Sequence, residues 1–257
     1  MGSFAKSFFD ASSKQKLVKE VFDSAASNYD KMNNLTSLYT HKLWKANFVD
    51  FINITDNCLT LDIASGSGDI ADLLIKKAKK QNKSIDITLS DYNENMLNLS
   101  KQRFVSPDKN QLDNNQNTKL DFKIIDACNM TDVEDCSFDV VTCSFGVRNF
   151  YDISKGLKEI QRVLKKGGVF YCLEFSNISS GFTKLGYDVY SKHFMPFVAK
   201  HFANRAEDYD YLVNSIENFY SKDAFLALIK DSGFEVASYY GMLNGLVCVH
   251  YGKKCQN

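Results

Sequence analysis

The feature that most constrains this chain is the run Leu61-Asp62-Ile63-Ala64-Ser65-Gly66-Ser67-Gly68-Asp69-Ile70. An apolar stretch from Cys58 to Ile63 ends in small residues at Ala64, Gly66 and Gly68, and a segment with helical spacing follows. A strand that turns into a helix through residues without bulk lets a ligand come close to the backbone. The first N–H groups of the helix are also free to face that ligand. The same glycines serve equally where a strand and helix merely pack tightly. The spacing is Gly66-x-Gly68, and Ala71 stands where a dinucleotide fingerprint would carry its third glycine. Asp62 at the strand end would repel a pyrophosphate and suit an ammonium group, so the expected guest is cationic or zwitterionic.

A second short β-like run, Ser84 to Ser90, ends in Asp91, 23 positions after Gly68. An acid at the end of the second strand is placed to accept hydrogen bonds from both hydroxyls of a ribose. Asp91 would alternatively cap the helix expected over 93–104. Acid, glycine turn and second acid in this order form the pattern with which S-adenosylmethionine-dependent methyltransferases hold their cofactor.

Hydrophobic periodicity predicts two N-terminal helices, over 14–28 and about 37–51. An alternation of strand 58–63, helix 69–80, strand 84–90 and helix 93–104 comes next. Residues 106–118 are polar and read as an inserted loop. Strands 120–125 and 138–143, helix 153–165 and strand 168–175 continue the pattern, the last following a Gly167-Gly168 turn. An irregular, aromatic-rich stretch spans 176–220. Helix 222–231 and an antiparallel pair, 234–240 and 245–252, close the chain. The expected fold is α/β: a doubly wound, mostly parallel seven-stranded sheet with an antiparallel last strand, of Rossmann-like methyltransferase type. Residues 1–52 are expected to form a helical cap and 53–257 the main domain, with a substrate insertion over 176–220.

Composition narrows the partners. With 31 basic and 31 acidic residues, the 257-residue chain has no electrostatic footprint for nucleic acid. Seven scattered cysteines without a C-x-x-C spacing and four unclustered histidines suggest buried thiols in a reducing compartment and no metal. No stretch approaches the length of a spanning helix, and the first thirty residues make a poor targeting signal. The expected location is cytoplasmic, with at most a transient contact at a membrane surface.

Two more strand ends carry candidate chemistry. Asp126-Ala127 follows the third strand, where a carboxylate can bond the amine of adenine and a small residue leaves room for its ring. Asp126 would alternatively cap its own loop. The fourth strand ends in Ser144-Phe145-Gly146-Val147-Arg148-Asn149, which points polar groups at the ligand edge of the sheet.

On these residues the chain resembles the ubiquinone/menaquinone biosynthesis C-methyltransferase family. The match runs through Val21-Phe22-Asp23, Tyr29-Asp30-x-Met32-Asn33 and His41-x-Leu43-Trp44-Lys45 to the glycine turn and Asp91. It continues through Ser144 to Asn149, Arg162-Val163-Leu164-Lys165-x-Gly167-Gly168, Leu173-Glu174-Phe175-Ser176, Tyr187-Asp188-x-Tyr190-Ser191 and Tyr211-Leu212-Val213-x-Ser215-Ile216. It departs from the family at Ser65, where glycine is usual, and at Ser67, where threonine is.

The resemblance implies S-adenosylmethionine as cofactor, held by Asp62, Gly66, Ser67, Gly68, Asp91, Asp126, Ala127 and Ser144. It implies a lipophilic prenylated quinol as substrate, with a homodimer or a quinone-biosynthesis complex as the assembly. Such ring methylation needs the methyl in line with the nucleophilic carbon, a deprotonated ring hydroxyl, and a dry site. Arg148 is the family-linked candidate to hold a water or stabilise phenolate, His41 is the better base, and Tyr187 with Asp188 is third. A methyltransferase of another small phenol or lipid shares these features. A nicotinamide-dependent oxidoreductase wants glycine at Ala71, and a non-catalytic subunit would have lost the acids.

Overall fold

The computed structural model describes residues 11–25, 34, 37, 39–105, 118–176 and 206–256. Two helices, α1 (Ala11–Ala25) and α2 (Thr40–Phe51), precede the sheet. The βα alternation follows as β1 (Cys58–Ile63), α3 (Asp69–Lys80), β2 (Ile85–Asp91), α4 (Glu94–Val105), β3 (Thr118–Ile124) and β4 (Phe138–Ser144). Next come α5 (Ile153–Val163), β5 (Leu164–Phe175), α6 (Ala206–Glu217), α7 (Lys222–Asp231), β6 (Val236–Met242) and β7 (Val247–Lys253). The seven strands lie in the order β3-β2-β1-β4-β5-β7-β6. Pairing is parallel from β3 to β5, and β7 runs antiparallel to both β5 and β6. The expected fold is therefore borne out.

Central parallel strands are covered on both faces and read as near-continuous apolar runs. On one face Phe48 and Ile52 beside α2, Leu74 of α3 and Ile85, Ile87 and Leu89 of β2 share a core. On the other, Leu61, Ile63, Val141 and Phe170 meet Leu157, Ile160, Phe225 and Ile229 from α5 and α7. Helix α2, placed in the cap by the sequence, thus contributes to the core of the sheet. Lys77 Nζ donates to the carbonyls of Val49 and Asp50 at 2.8 Å and ties the end of α2 to α3.

The strand expected to begin at Gly168 begins at Leu164. Leu164 pairs with Phe138, and the register then shifts before Val140 meets Val169. Gly167 takes a φ of 75° within the strand, and its N–H reaches Lys254 O at 3.2 Å. The glycine pair is a bulge inside β5, stabilised by the C-terminal segment, and not a turn before it. Of the polar loop expected over 106–118, Thr118 opens β3 and the remainder lies outside the described residues.

His250 on β7 is 2% exposed, wedged between the rings of Phe225 and Tyr239, with Nε2 2.9 Å from Lys222 O. Burial depresses it to about 4. The unfolded chain binds this proton more readily, so the stability from neutral His250 is intact above pH 6.5 and is lost as pH falls toward 4. The full difference is about 3 kcal/mol. His250→Phe is expected to flatten that limb of the stability curve, as read by urea unfolding at pH 7 and 4.5. An unchanged difference between the two pH values would show that other groups cause it.

Candidate active site

The strand ends of the parallel half open into one cleft of about 800 Å³, including its mouth. This is where ligands bind in open α/β sheets. From the sheet it is lined by Ala64, Gly66, Asp91, Asn93, Asp126, Ala127, Ser144 and Asn149, with Phe145, Phe150 and Tyr151 adding aromatic surface. Gln15, Val18, Lys19 and Phe22 of α1 form a further wall.

Asp91 accepts from Gly66 N at 3.0 Å through Oδ2 and from Asn93 N at 2.9 Å through Oδ1. The helix cap considered for Asp91 falls instead to Asn93, whose Oδ1 takes Met96 N at 3.1 Å. Burial pushes the Asp91 carboxyl up to about 6. Asp126 accepts from Cys128 N at 2.8 Å, its local loop bond, and from Gln15 Nε2 at 3.1 Å.

Asp62 lies below the cleft within β1, 1% exposed. Its Oδ1 accepts from Thr142 Oγ1 at 2.7 Å, and burial raises its carboxyl to about 7. Its Oδ2, with Ser65 Oγ and Ser144 Oγ, is buried without a hydrogen-bond partner. Buried polar atoms are nearly always satisfied, and of these three oxygens the Ser144 hydroxyl belongs to a residue that lines the cleft, where a polar guest can supply its partner. An ammonium-bearing, hydroxylated cofactor such as S-adenosylmethionine meets that requirement.

The turn itself divides between ligand and packing. Ala64 and Gly66 take positive φ, at 52° and 54°, whereas Ser65 does not. Replacement of the usual glycine at Ser65 therefore carries no backbone strain. Gly68 has φ 82°, and a Cβ there would stand 2.6 Å from the ring of Phe104. Gly68 and Ser67 do not line the cleft, and the carbonyl of Ser67 takes Arg103 Nη1 at 3.2 Å. At Gly68 the requirement is close packing of α4. Gly68→Ala is expected to cost about 1–3 kcal/mol in urea unfolding. A loss below half that would deny the steric reading.

Beneath the turn, Asp69 bridges Lys45 Nζ at 2.7 Å and Arg103 Nη1 at 2.6 Å. Against the effect of burial, these two cations hold its carboxyl well below the usual range. The network fixes the first residue of α3 to α2 and α4, and with it the direction of the glycine turn.

Arg148 does not line the cleft. It pairs through Nη1 with Glu174 Oε1 at 2.8 Å, the two side chains being 7% and 1% exposed. Its Nη1 also donates to Phe145 O, and its Nε to Ser215 Oγ at 3.3 Å. His41, buried on α2, is hydrogen-bonded through Nδ1 to Ser37 Oγ and is likewise not part of the cleft wall. Tyr187 and Asp188 lie outside the described residues.

Sequence reasoning missed the α1 wall and the partner of Arg148. A glutamate inside the apolar run Phe170–Phe175 was the available signal, because buried carboxylates are seldom left unpaired. Nothing comparable announced α1, which reaches the site through Gln15 to Asp126 and through Asp23 to Asn93 at 2.7 Å.

Comparison with known proteins identifies the family and the fold. The ubiquinone/menaquinone biosynthesis C-methyltransferase UbiE of Rickettsia peacockii is 44% identical over 242 residues, 94% of each chain. That of Rickettsia prowazekii is 43% identical over 246 residues, 95% of each. Among solved structures, a Haemonchus contortus phosphoethanolamine N-methyltransferase 2 complex with S-adenosylhomocysteine superposes with TM-score 0.60 at 13% identity. It covers 93% of this chain and 60% of that one. A Methanosarcina mazei S-adenosylmethionine-dependent methyltransferase gives TM-score 0.53 at 21% identity, covering 79% and 95%. These two likenesses show the fold. The family model for the ubiE/COQ5 methyltransferases matches residues 10–254, and with the relatives above it shows that this chain belongs to the ubiE/COQ5 methyltransferase family and is an S-adenosylmethionine-dependent C-methyltransferase.

Proposed function

We propose that the enzyme methylates a ring carbon of a prenylated quinol: 2-methoxy-6-polyprenyl-1,4-benzoquinol, demethylmenaquinol, or both. The observation that carries this reading is the composition of the cleft, in which Asp91, Asp126 and the orphaned Ser144 hydroxyl share a wall with Phe22, Phe145, Phe150 and Tyr151. The first group suits the cofactor and the second an aromatic substrate. The names of the Rickettsia relatives point to quinone biosynthesis as the setting.

Bound S-adenosylmethionine supplies the electrophilic methyl group. In this reading Asp91 holds the ribose hydroxyls, Asp126 and Ala127 the adenine, and Asp62, Gly66, Ser67, Gly68 and Ser144 serve the amino-acid end. The last set acts partly at a distance: Asp62 through its negative charge, Ser67 and Gly68 by shaping the turn. α1 walls one side of the cleft and limits the entry of water. A guanidinium keeps its proton at any working pH, so Arg148 takes no proton from the substrate. Paired with Glu174, it braces the Ser144–Asn149 edge. The proton acceptors proposed are Tyr187 and, through water because it does not line the cleft, His41.

The 1–52 segment as cap and 176–220 as substrate insertion belong to the same proposal, as do a homodimer or quinone-biosynthesis complex and cytoplasmic residence. No helix among the described residues is long and apolar enough to cross a membrane. A bilayer-dissolved tail would then be met by transient contact at the inner membrane face. Incubation of the purified enzyme with S-adenosylmethionine and short-tailed forms of both quinols, followed by mass spectrometry and NMR of the product, tests the activity. A ring C-methyl product is expected. Methylation on oxygen, or none with either quinol, would refute the proposal.

A further inference from the structure

The face of α6 toward the ligand edge carries two hydroxyls with a task. Tyr211 Oη donates to Asn149 Oδ1 at 2.9 Å. One helical turn later, Ser215 gives its proton to Leu212 O at 2.8 Å and accepts from Arg148 Nε at 3.3 Å. Two residues on one face of a helix thus hold two consecutive residues at the end of β4. Of that pair, Asn149 lines the cleft.

We propose that Tyr211 is a positioning residue for methyl transfer: its bond to Asn149 Oδ1 leaves the Asn149 amide group, and not its carbonyl, to face a ring oxygen of the substrate. This rests on the ring-methylation reading above.

A carboxamide offers one acceptor oxygen and two N–H donors, and its terminal torsion is soft and roughly two-fold. Unrestrained, it presents either end to a ligand. A phenol that keeps its proton removes that choice by occupying the oxygen. Burial pushes Tyr211 up to about 12, the nearby Arg148 charge offsetting only part of the effect, so the donor is present throughout the working range. The ring hydroxyl of a quinol gains negative charge as its proton leaves, and a donor aimed at it gains strength in step. A carbonyl oxygen in the same place would repel that charge. The neighbouring Arg148–Glu174 pair has no net charge to correct such an error.

The test compares the full-length enzyme with Tyr211→Phe, Asn149→Ala, the double variant and Asn149→Asp, measuring kcat and KM for short-tailed forms of both quinols and affinity for S-adenosylhomocysteine. Tyr211→Phe should lower kcat about 10- to 100-fold, with quinol KM and cofactor affinity within about threefold of wild type. Asn149→Ala should lower kcat about 100-fold, and the double variant should be no slower than Asn149→Ala. Asn149→Asp keeps the acceptor for Tyr211 but replaces the amide donor. It should retain the wild-type melting temperature and lose about tenfold or more in kcat, which decides the matter even if Tyr211→Phe does not fold. Wild-type kcat in Tyr211→Phe, a Tyr211→Phe loss that multiplies undiminished onto Asn149→Ala, or an active Asn149→Asp would each overturn the proposal. A wild-type enzyme that methylates neither quinol, yet binds S-adenosylhomocysteine, would instead remove the ring-methylation reading and this proposal with it.

Discussion

Glu174→Ala is expected to be the most destabilising single substitution in the ligand edge, lowering stability by about 3–5 kcal/mol. For a domain of this size that corresponds to a fall in melting temperature of roughly 6–20 °C. Glu174 is 1% exposed and sits in the fully buried stretch of β5, where it accepts from Arg148 Nη1 at 2.8 Å and from Phe175 N at 2.9 Å. Its removal leaves a guanidinium in a dry environment with no charge opposite it, and arginine cannot shed its proton to relieve this. The reverse change is gentler. Burial already pushes the Glu174 carboxyl up against the pull of Arg148, so in Arg148→Ala it can take a proton and become neutral. The order Glu174→Ala worse than Arg148→Ala is therefore the diagnostic result, with Arg148→Met/Glu174→Leu closer to wild type than either. Urea unfolding of the four proteins checks it. Equal losses, or a Glu174→Ala loss under 1 kcal/mol, would mean that water reaches the pair.

Asp91→Ala carries the second large effect, on cofactor affinity. Loss of charge-assisted bonds to two ribose hydroxyls should cost about 2–4 kcal/mol, or about 30- to 1000-fold in Kd for S-adenosylhomocysteine. Part of that arises inside the protein, because Asp91 also bonds Gly66 N and Asn93 N and so shapes the turn it faces. A pH profile separates the carboxylate from the scaffold. Burial raises the Asp91 carboxyl to about 6 and that of Asp62 to about 7. A ligand that needs the ionised form must displace a proton, so wild-type affinity should weaken as pH falls. Below pH 6 the loss is about tenfold per unit for Asp91 alone. Calorimetry between pH 5 and 8 should show that slope in wild type and a shallower one in Asp91→Ala. A flat wild-type profile would place the ribose contact elsewhere.

Sequence by itself determined the parts whose causes are local. β1 and α3 fall where the apolar run, the small-residue turn and the helical spacing placed them, at Cys58–Ile63 and Asp69–Lys80. α7 likewise spans Lys222–Asp231, with Ser221 Oγ capping Ala224 N. The doubly wound, mostly parallel sheet followed from the βα alternation, and the ligand edge followed from that architecture. The acids at Asp91 and Asp126 were legible as candidates because the strand ends of such a sheet face the ligand edge.

Tertiary structure alone decided what depends on residues far apart in the chain. The true start of β5 is set by the register shift against β4 and by the Lys254 carbonyl that receives Gly167 N. The wall formed by α1 rests on Gln15 meeting Asp126, 111 positions away. Arg148 had the right address in the motif, yet its charge was spoken for by Glu174, 26 positions on, and the same helix that brings Ser215 to it brings Tyr211 to Asn149. Periodicity and turn chemistry report a residue's own neighbourhood. Which buried charge finds which partner is settled only when β4, β5 and α6 pack together, because desolvation makes that choice and desolvation is a property of the folded core.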